Sequence, residues 1–223
     1  MRKPGRSPLT AISLAATAVI AATAATLTTT WTILPGGSVT AFNSTNVGAI
    51  DLTSHAVLSC NEVSAKAQVK SGSGLPPDGL AEITEVAFSN NGGSCPTTGG
   101  ILAELRAANL PWQIDAESYD NASGKAIGKV VGVAIEMHSS DGCNATFSGP
   151  EGQSGWVRLV YDNGAEVGYG AVTVGLTLGT SSGTNLVVTK VDGGCDTNLV
   201  GIGDEMQVTG QFFVDPNLSV TSS

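Results

Sequence analysis

Two histidines, four cysteines and three methionines are the whole supply of imidazole and sulfur in a chain of 223 residues. Histidine-dependent acid–base catalysis at neutral pH must therefore use His55 or His138. No two cysteines lie close in sequence, which argues against zinc and leaves no cofactor or metal expected. Charged residues make up only 13%, too few for the Glu-, Lys- and Arg-covered surfaces of a helical bundle. Five Phe, three Tyr and three Trp are too few and too scattered for the aromatic girdles of a β-barrel channel in a mycolate-type outer envelope. Basic residues are scarce as well, ten against nineteen acidic. That balance repels phosphate backbones and anionic lipid, so no nucleic-acid or membrane-surface role is expected. The acid forms no run that would hold a basic partner; it is spread from Asp51 to Asp215.

The amino end is basic and then uncharged over a long stretch. Arg2, Lys3 and Arg6 precede Leu9 to Ala25, which carries no charge. Ala22-Thr23-Ala24 then supplies the small-x-small pattern of a signal-peptidase site. Residues 1–24 therefore read as a signal peptide and residues 25–223 as a single β-rich extracellular domain. The run is short and alanine-rich for a membrane span, and a retained anchor is its other reading. No cysteine near the cut offers a lipid attachment point. Cleavage leaves seven basic and nineteen acidic residues, a net charge of −12. The expected location is outside the cell, free or wall-associated, with no membrane insertion after signal cleavage and with a cell-wall or protein partner.

What is present is a turn-rich β-pattern. Gly reaches 29 residues. Ser, Thr and Asn are abundant and solvate the outer faces of strands. Val63, Ala65, Ala67 and Val69 share one face of a strand, with Ser64, Lys66, Gln68 and Lys70 on the other. Comparable runs start near Trp31, Ser38, Ala49, Ala56, Leu80, Trp112, Asn144, Trp156, Val167, Asn185 and Gln207. Glu82 and Glu85 break alternation in Leu80 to Phe88 and predict a bulge. Lys129 to His138 reads as one Val-rich strand, and Ser71 to Gly79 as a loop around Pro76 and Pro77. Asn163-Gly164 predicts a tight hairpin turn, and Pro216 onward a tail. Ile101 to Leu110 suits a helix stopped by Pro111 but also alternates, and is read as strand. The polar connector Asn121–Gly128 is the one place for a domain boundary; without a change in composition there, one continuous body is expected.

Cys95 and Cys195 each follow an alternating run closed by an Asn/Asp-Gly-Gly turn, while Cys60 and Cys143 are each followed by Asn and a new run. An even number of cysteines behind a signal peptide implies an oxidising compartment and disulfides. Four cysteines allow three pairings, and the matched settings favour Cys60–Cys95 with Cys143–Cys195. The fold class expected is all-β, an antiparallel sandwich or barrel-like body with two disulfides.

The order of short motifs is Thr30-Trp-Thr32, Leu58-Ser-Cys60, Ser71-Gly-Ser-Gly74, Phe88-Ser-Asn90, Leu110-Pro-Trp112, Tyr119-Asp120, Cys143 and Gly194-Cys195. This order resembles a group of small secreted proteins of uncharacterised function from actinobacteria such as streptomycetes. The resemblance covers most of the mature chain. It implies export, a disulfide-tied β-fold and a strand at residues 101–110, and it brings no activity with it.

Catalytic constellations are weak. His55, Asp115 or Asp120, and Ser154 follow the order of chymotrypsin-like proteases, but the serine sits in Gly152-Gln-Ser-Gly-Trp156 and lacks the second glycine of that family's motif. Glu104, Asp115 and Glu117 offer carboxylates for glycoside hydrolysis without a pattern that selects them. Asp192, Asp196, Asp204 and Glu205 place oxygens in tight turns but lack the alternation of a calcium loop. Trp31, Trp112 and Trp156 read as core before they read as a sugar-stacking platform. Asn43, Asn121 and Asn144 open glycosylation sequons, which places them at the surface. No catalytic residue is singled out. The expectation is a binding or structural module, with a secreted hydrolase of divergent site as the alternative.

Amino-terminal sequencing of protein from culture medium is expected to begin at Ala25 or within a few residues of it. An intact Met1 would establish an anchored form.

Overall fold

A computed structural model describes residues 29–151, 153–166, 169–175 and 183–223. Its regular structure is β-strand apart from one short 3-10 turn. Strands β1 (Trp31–Leu34) and β2 (Gly37–Asn43) flank Pro35-Gly36, and β3 (Val47–Asp51) and β4 (Val57–Cys60) form a small hairpin. Then come β5 (Glu62–Val69), β6 (Gly72–Leu75), β7 (Ala81–Ser89) and the two-residue β8 (Cys95–Pro96). The 3-10 turn Thr98–Gly100 leads to β9 (Leu102–Ala108), β10 (Trp112–Asp120), β11 (Lys125–Val131), β12 (Ala134–Ser139) and β13 (Asn144–Ser148). The described chain ends with β14 (Trp156–Glu166), β15 (Tyr169–Val174), β16 (Val187–Val191), β17 (Met206–Asp215) and β18 (Ser219–Ser222).

Eight strands close into an antiparallel barrel in the order β2-β5-β7-β10-β11-β14-β15-β17 and back to β2. The closing strand is β17, whose Phe213 pairs with Phe42 on one side and Ala171 on the other. Its amino-terminal half, from Met206, runs on past the ring and pairs with β3, which carries β4. Closure removes the unpaired edges that an open sheet would expose. Alternation then has one meaning along every barrel strand, in or out. On β5 the predicted face holds: Val63, Ala65, Ala67 and Val69 point inward. Outside, Lys66 meets Glu85 at 2.8 Å, and Glu117 lies between Lys129 (3.8 Å) and Arg158 (3.5 Å). Charge outside and aliphatic side chains inside is the reverse of a water-filled membrane channel. No helix among the described residues is long and apolar enough to cross a membrane.

Each end of the barrel is covered. A three-stranded sheet, β18-β1-β6, packs over one end. Its Trp31 is 1% exposed and meets Tyr119 edge-on at 6.4 Å. A five-stranded sheet, β16-β13-β12-β9-β8, lays Met137, Phe147 and Val188 against Val130, Val157 and Leu159 at the other end. Sheet and barrel therefore share a core. The disulfides are Cys60–Cys95 and Cys143–Cys195, the expected pairing. The first ties β4 to the five-stranded sheet; the second ties the β12–β13 turn to the segment after β16. Loops of 35 and 52 residues correspond to about 4 kcal/mol each in the chain-entropy account.

Several sequence expectations are sharpened or corrected. Residues 101–110 do contain a strand, β9, held between β8 and β12. The bulge in β7 falls at Thr84, where the register to β5 slips between Lys66 and Ala67. Residues 121–124 form a hairpin turn, and Lys125–Gly128 belongs to β11. The run 129–138 is two strands, not one: Gly132, at φ +86°, breaks it, and β11 stays in the barrel while β12 joins the covering sheet. Ser71 to Gly79 is not all loop, because Gly72–Leu75 pairs with β1. Pro216 onward is not a tail, because β18 pairs with β1 and buries Val220. Asn163-Gly164 is not the turn either. The strand runs through it to Glu166, and the predicted strand start at 167–168 lies outside the described residues, as do 176–178 at its far end. The reason is tertiary: the Asn163 amide donates to Val220 O (2.7 Å) and accepts from Val220 N (2.6 Å), so it holds β18 as another strand would.

Tyr161 performs the same service deeper in. Its hydroxyl donates to Leu218 O (2.7 Å) and accepts from Leu218 N (2.9 Å), and it packs over Gly170, where a Cβ would lie 2.2 Å from the oxygen. Tyr161→Phe leaves two buried backbone groups without a partner. Urea denaturation is expected to show a loss of about 1–3 kcal/mol with an unchanged m-value; a change below about 0.5 kcal/mol would mean that the hydroxyl does not hold this cap.

Candidate functional site: the barrel lumen

Eight strands give a barrel whose interior is either filled by side chains or holds one small ligand, depending on the size of the inward residues. Here many are small. Ala41 and Ala65 face each other across β2 and β5, and Ala67, Ala116, Ala126 and Gly128 also border the interior. A cavity of about 250 Å³ remains. Its other walls are Val, Ile, Leu, Phe and Trp side chains. Ile83, Val86, Ile114 and Val172 point inward yet keep part of their surface accessible, because that surface looks onto empty space.

Polar groups near the lumen are already committed. Burial raises the pKa of Tyr161, whose hydroxyl is bound to the Leu218 backbone and to Asn217 (3.0 Å). Asp115 borders the cavity but its carboxylate accepts from Gly79 N at 2.7 Å. A lumen of this kind stays dry, since a water needs two to four polar partners. It suits apolar matter and offers no nucleophile or general base to it.

A second, smaller cleft of about 100 Å³ lies outside the barrel, between the β3–β4 turn, the 3-10 turn, the β12–β13 turn and residues 196–200. Leu105, Met137, Phe147 and Met206 form its floor. Asp51, Asp141 and Asp196 border it. Asp141 is held below the usual carboxyl range, chiefly by the Ser139 hydroxyl and then by Cys143 N–H.

The constellations weighed from sequence are not assembled. His55 lies in the β3–β4 turn at φ +61°, and its N–H donates to Asp51 O. Ser154 accepts from Gly132 N at 3.0 Å, and Asp120 is bound to Ser123 and Ala122. Nothing joins these residues into a triad. Glu104 pairs with Arg106 on the covering sheet, whereas Asp115 and Glu117 lie on β10 with partners of their own. Asp192 is held below the usual range by the Asn144 side chain first, then by the Asn144 and Gly194 N–H groups. Asp204 accepts from Gly201 N, and among the described residues no three His, Cys, Asp or Glu side chains form a metal-ligating group. Trp31 and Trp112 are buried; Trp156 is half-buried, with the Arg158 guanidinium 5.8 Å above its ring. Of the sequons, Asn43 is an internal clamp, binding Thr45 O, Asn61 O and Val63 N.

The lumen itself escaped the sequence reading. Its signal was present as alanine where Leu or Ile would fill a core, at Ala65 and Ala67 of β5 and Ala41 of β2, but that signal has meaning only once the strands are known to face one another.

Comparison with known proteins finds no matching family model, no matching curated protein and no matching solved structure.

His55→Ala and Ser154→Ala are each expected to change stability by less than about 1 kcal/mol, by thermal melting. If either variant abolished a hydrolytic activity while keeping its melting temperature, a catalytic site built on that residue would be established.

Proposed function

We propose that the chain is an exported, non-enzymatic binding module that carries a small apolar molecule inside its barrel. The observation that carries this reading is the apolar cavity of about 250 Å³ at the centre of a closed eight-stranded ring. Its size can be weighed as energy. Empty space in a core costs about 24 cal/mol per Å³, so a lumen of this volume left empty forgoes about 6 kcal/mol of packing. That is comparable with the whole net stability of an ordinary domain, about 5–15 kcal/mol. Larger inward side chains at Ala41 and Ala65 would remove the penalty. A bound molecule removes it too, and its affinity then comes from the packing that the chain lacks.

A cavity of roughly 150 Å³ lined by aliphatic side chains takes up benzene and stays dry. The larger lumen here fits a medium-length acyl or alkyl chain or a small terpenoid. Export is supported by the basic start and uncharged run of residues 1–24 and by two disulfides, which persist in oxidising compartments. The same features, with the resemblance to secreted actinobacterial proteins, support a place outside the cell or at its wall.

Titration of the folded protein with N-phenyl-1-naphthylamine is expected to show enhanced fluorescence saturating at one probe per chain. Ala65→Phe fills the lumen and is expected to abolish uptake without lowering the melting temperature, because the ring enters existing space. In a core already full the same substitution would cost about 1–3 kcal/mol. Undiminished uptake by a folded Ala65→Phe protein would overturn the lumen as the site.

A further inference from the structure

We infer that the molecule held in the lumen is an amphiphile with a cationic head, an alkylammonium compound, which passes through the outer cleft and leaves its head there. The inference rests on the lumen being a binding site and adds the chemistry of the ligand and its route. It starts from a shared wall: Ile135, Leu186 and Val208 border both the cleft and the lumen. Turning these three aliphatic side chains aside is the step by which the two spaces would join. Met137 and Met206 line the cleft beside that wall, and unbranched thioether side chains make room at little cost.

The two ends of such a path differ in charge. At the far end, under Trp31, the Tyr161 hydroxyl is fully engaged by Leu218 and Asn217, which leaves an apolar terminus for a tail. The cleft is bordered by Asp51, Asp141 and Asp196, and by no Lys, Arg or His among the described residues. Carboxylates alone are a surface feature, but Asp51 is not at the surface. It is 1% exposed; one oxygen accepts from Thr53 N (2.8 Å) and Ser54 N (2.9 Å), while its second oxygen has no hydrogen-bond partner. A buried carboxylate with an unanswered oxygen is costly, and a positive charge settled in the adjoining cleft offsets that cost. Val57, 46% exposed at the mouth, gives an approaching alkyl group its first apolar contact. A metal ion fits this setting poorly, because the apolar floor of Leu105, Met137, Phe147 and Met206 adds no oxygen ligand to the rim. An ammonium group on an alkyl chain satisfies the acidic rim and the apolar floor together.

The test is calorimetric titration of the full folded chain with decylammonium, decanol and decanoate, each below its micellar concentration. Decylammonium is expected to bind at least about tenfold more tightly than decanol at low salt, and decanoate more weakly than either. Asp196→Asn and Asp141→Asn together should bring decylammonium close to decanol while leaving decanol unchanged. Asp141 supports its own turn and Asp196 accepts from Asn198 N (2.9 Å), so Asp196→Lys serves as the second variant with its melting temperature measured beside it, and in the folded variant it should weaken decylammonium alone. Equal affinity for decylammonium and decanol, with decanol still excluded by Ala65→Phe, would overturn the cationic head and leave the apolar lumen standing. A cation preference unmoved by Asp196→Lys would overturn the cleft as its seat. Binding of none of the three compounds would overturn the lumen reading itself.

Discussion

Residues Phe212 to Val214 sit between β2 and β15, strands separated by more than a hundred residues of chain, and hydrogen-bond to both. Without that double pairing the sheet would be open, with β2 and β15 as two long edges. With it, every inward side chain of the ring faces another inward side chain, and the interior becomes an enclosed volume rather than one face of a sandwich. The two covering sheets follow from the same closure. A barrel has two ends, and each would expose apolar residues to water unless something were laid across it. Trp31 and Val220 do this at one end, Phe147 and Val188 at the other.

The covers are held by different means. The three-stranded cover joins β6 to the two ends of the described chain and is tied down by side-chain amide and phenol groups, Asn163 and Tyr161, acting on the backbone of residues 218–220. The five-stranded cover is tied by both disulfides, with Cys60 bringing the β3–β4 ribbon to β8 and Cys143 bringing the β12–β13 turn to residue 195. Their combined contribution, about 8 kcal/mol in the chain-entropy account, is of the size needed to offset a hollow centre. The rest of the stability comes from the buried apolar clusters, since the exposed ion pairs count for little.

Hollow centre, sealed apolar end and acidic outer cleft also fit one another chemically. A cavity without polar partners selects by shape and apolar area, which gives affinity but little discrimination. Discrimination has to come from where the path reaches polar groups, and that is the cleft beside Asp51, Asp141 and Asp196. The His55 backbone N–H donates to Asp51 O in the β3–β4 turn, and His138 Nδ1 lies 2.5 Å from Asn144 Oδ1 on the covering sheet.

Period-two alternation is a local property, so the sequence by itself determined most of the strands, the all-β class, the apolar face of β5, the bulge near Thr84 and, through the matched settings of the cysteines, both disulfides. Alternation is the same in a sandwich and in a barrel, so closure was left to the tertiary structure, which decided it through β17. Tertiary contacts also overrode local signals. Asn163-Gly164 carries strong turn chemistry, but its amide is worth more as a partner for Val220. Residues after Pro216 look like a tail because they are short and polar, and they are a strand because β1 leaves an edge for them. Gly132 divides one Val-rich run between two sheets by a positive φ that no periodicity announces. The lumen was the least legible feature: an alanine on a strand is a small core residue if larger inward side chains fill the space before it and a wall of a cavity if its neighbours are small too, and only the folded register set Ala41 beside Ala65.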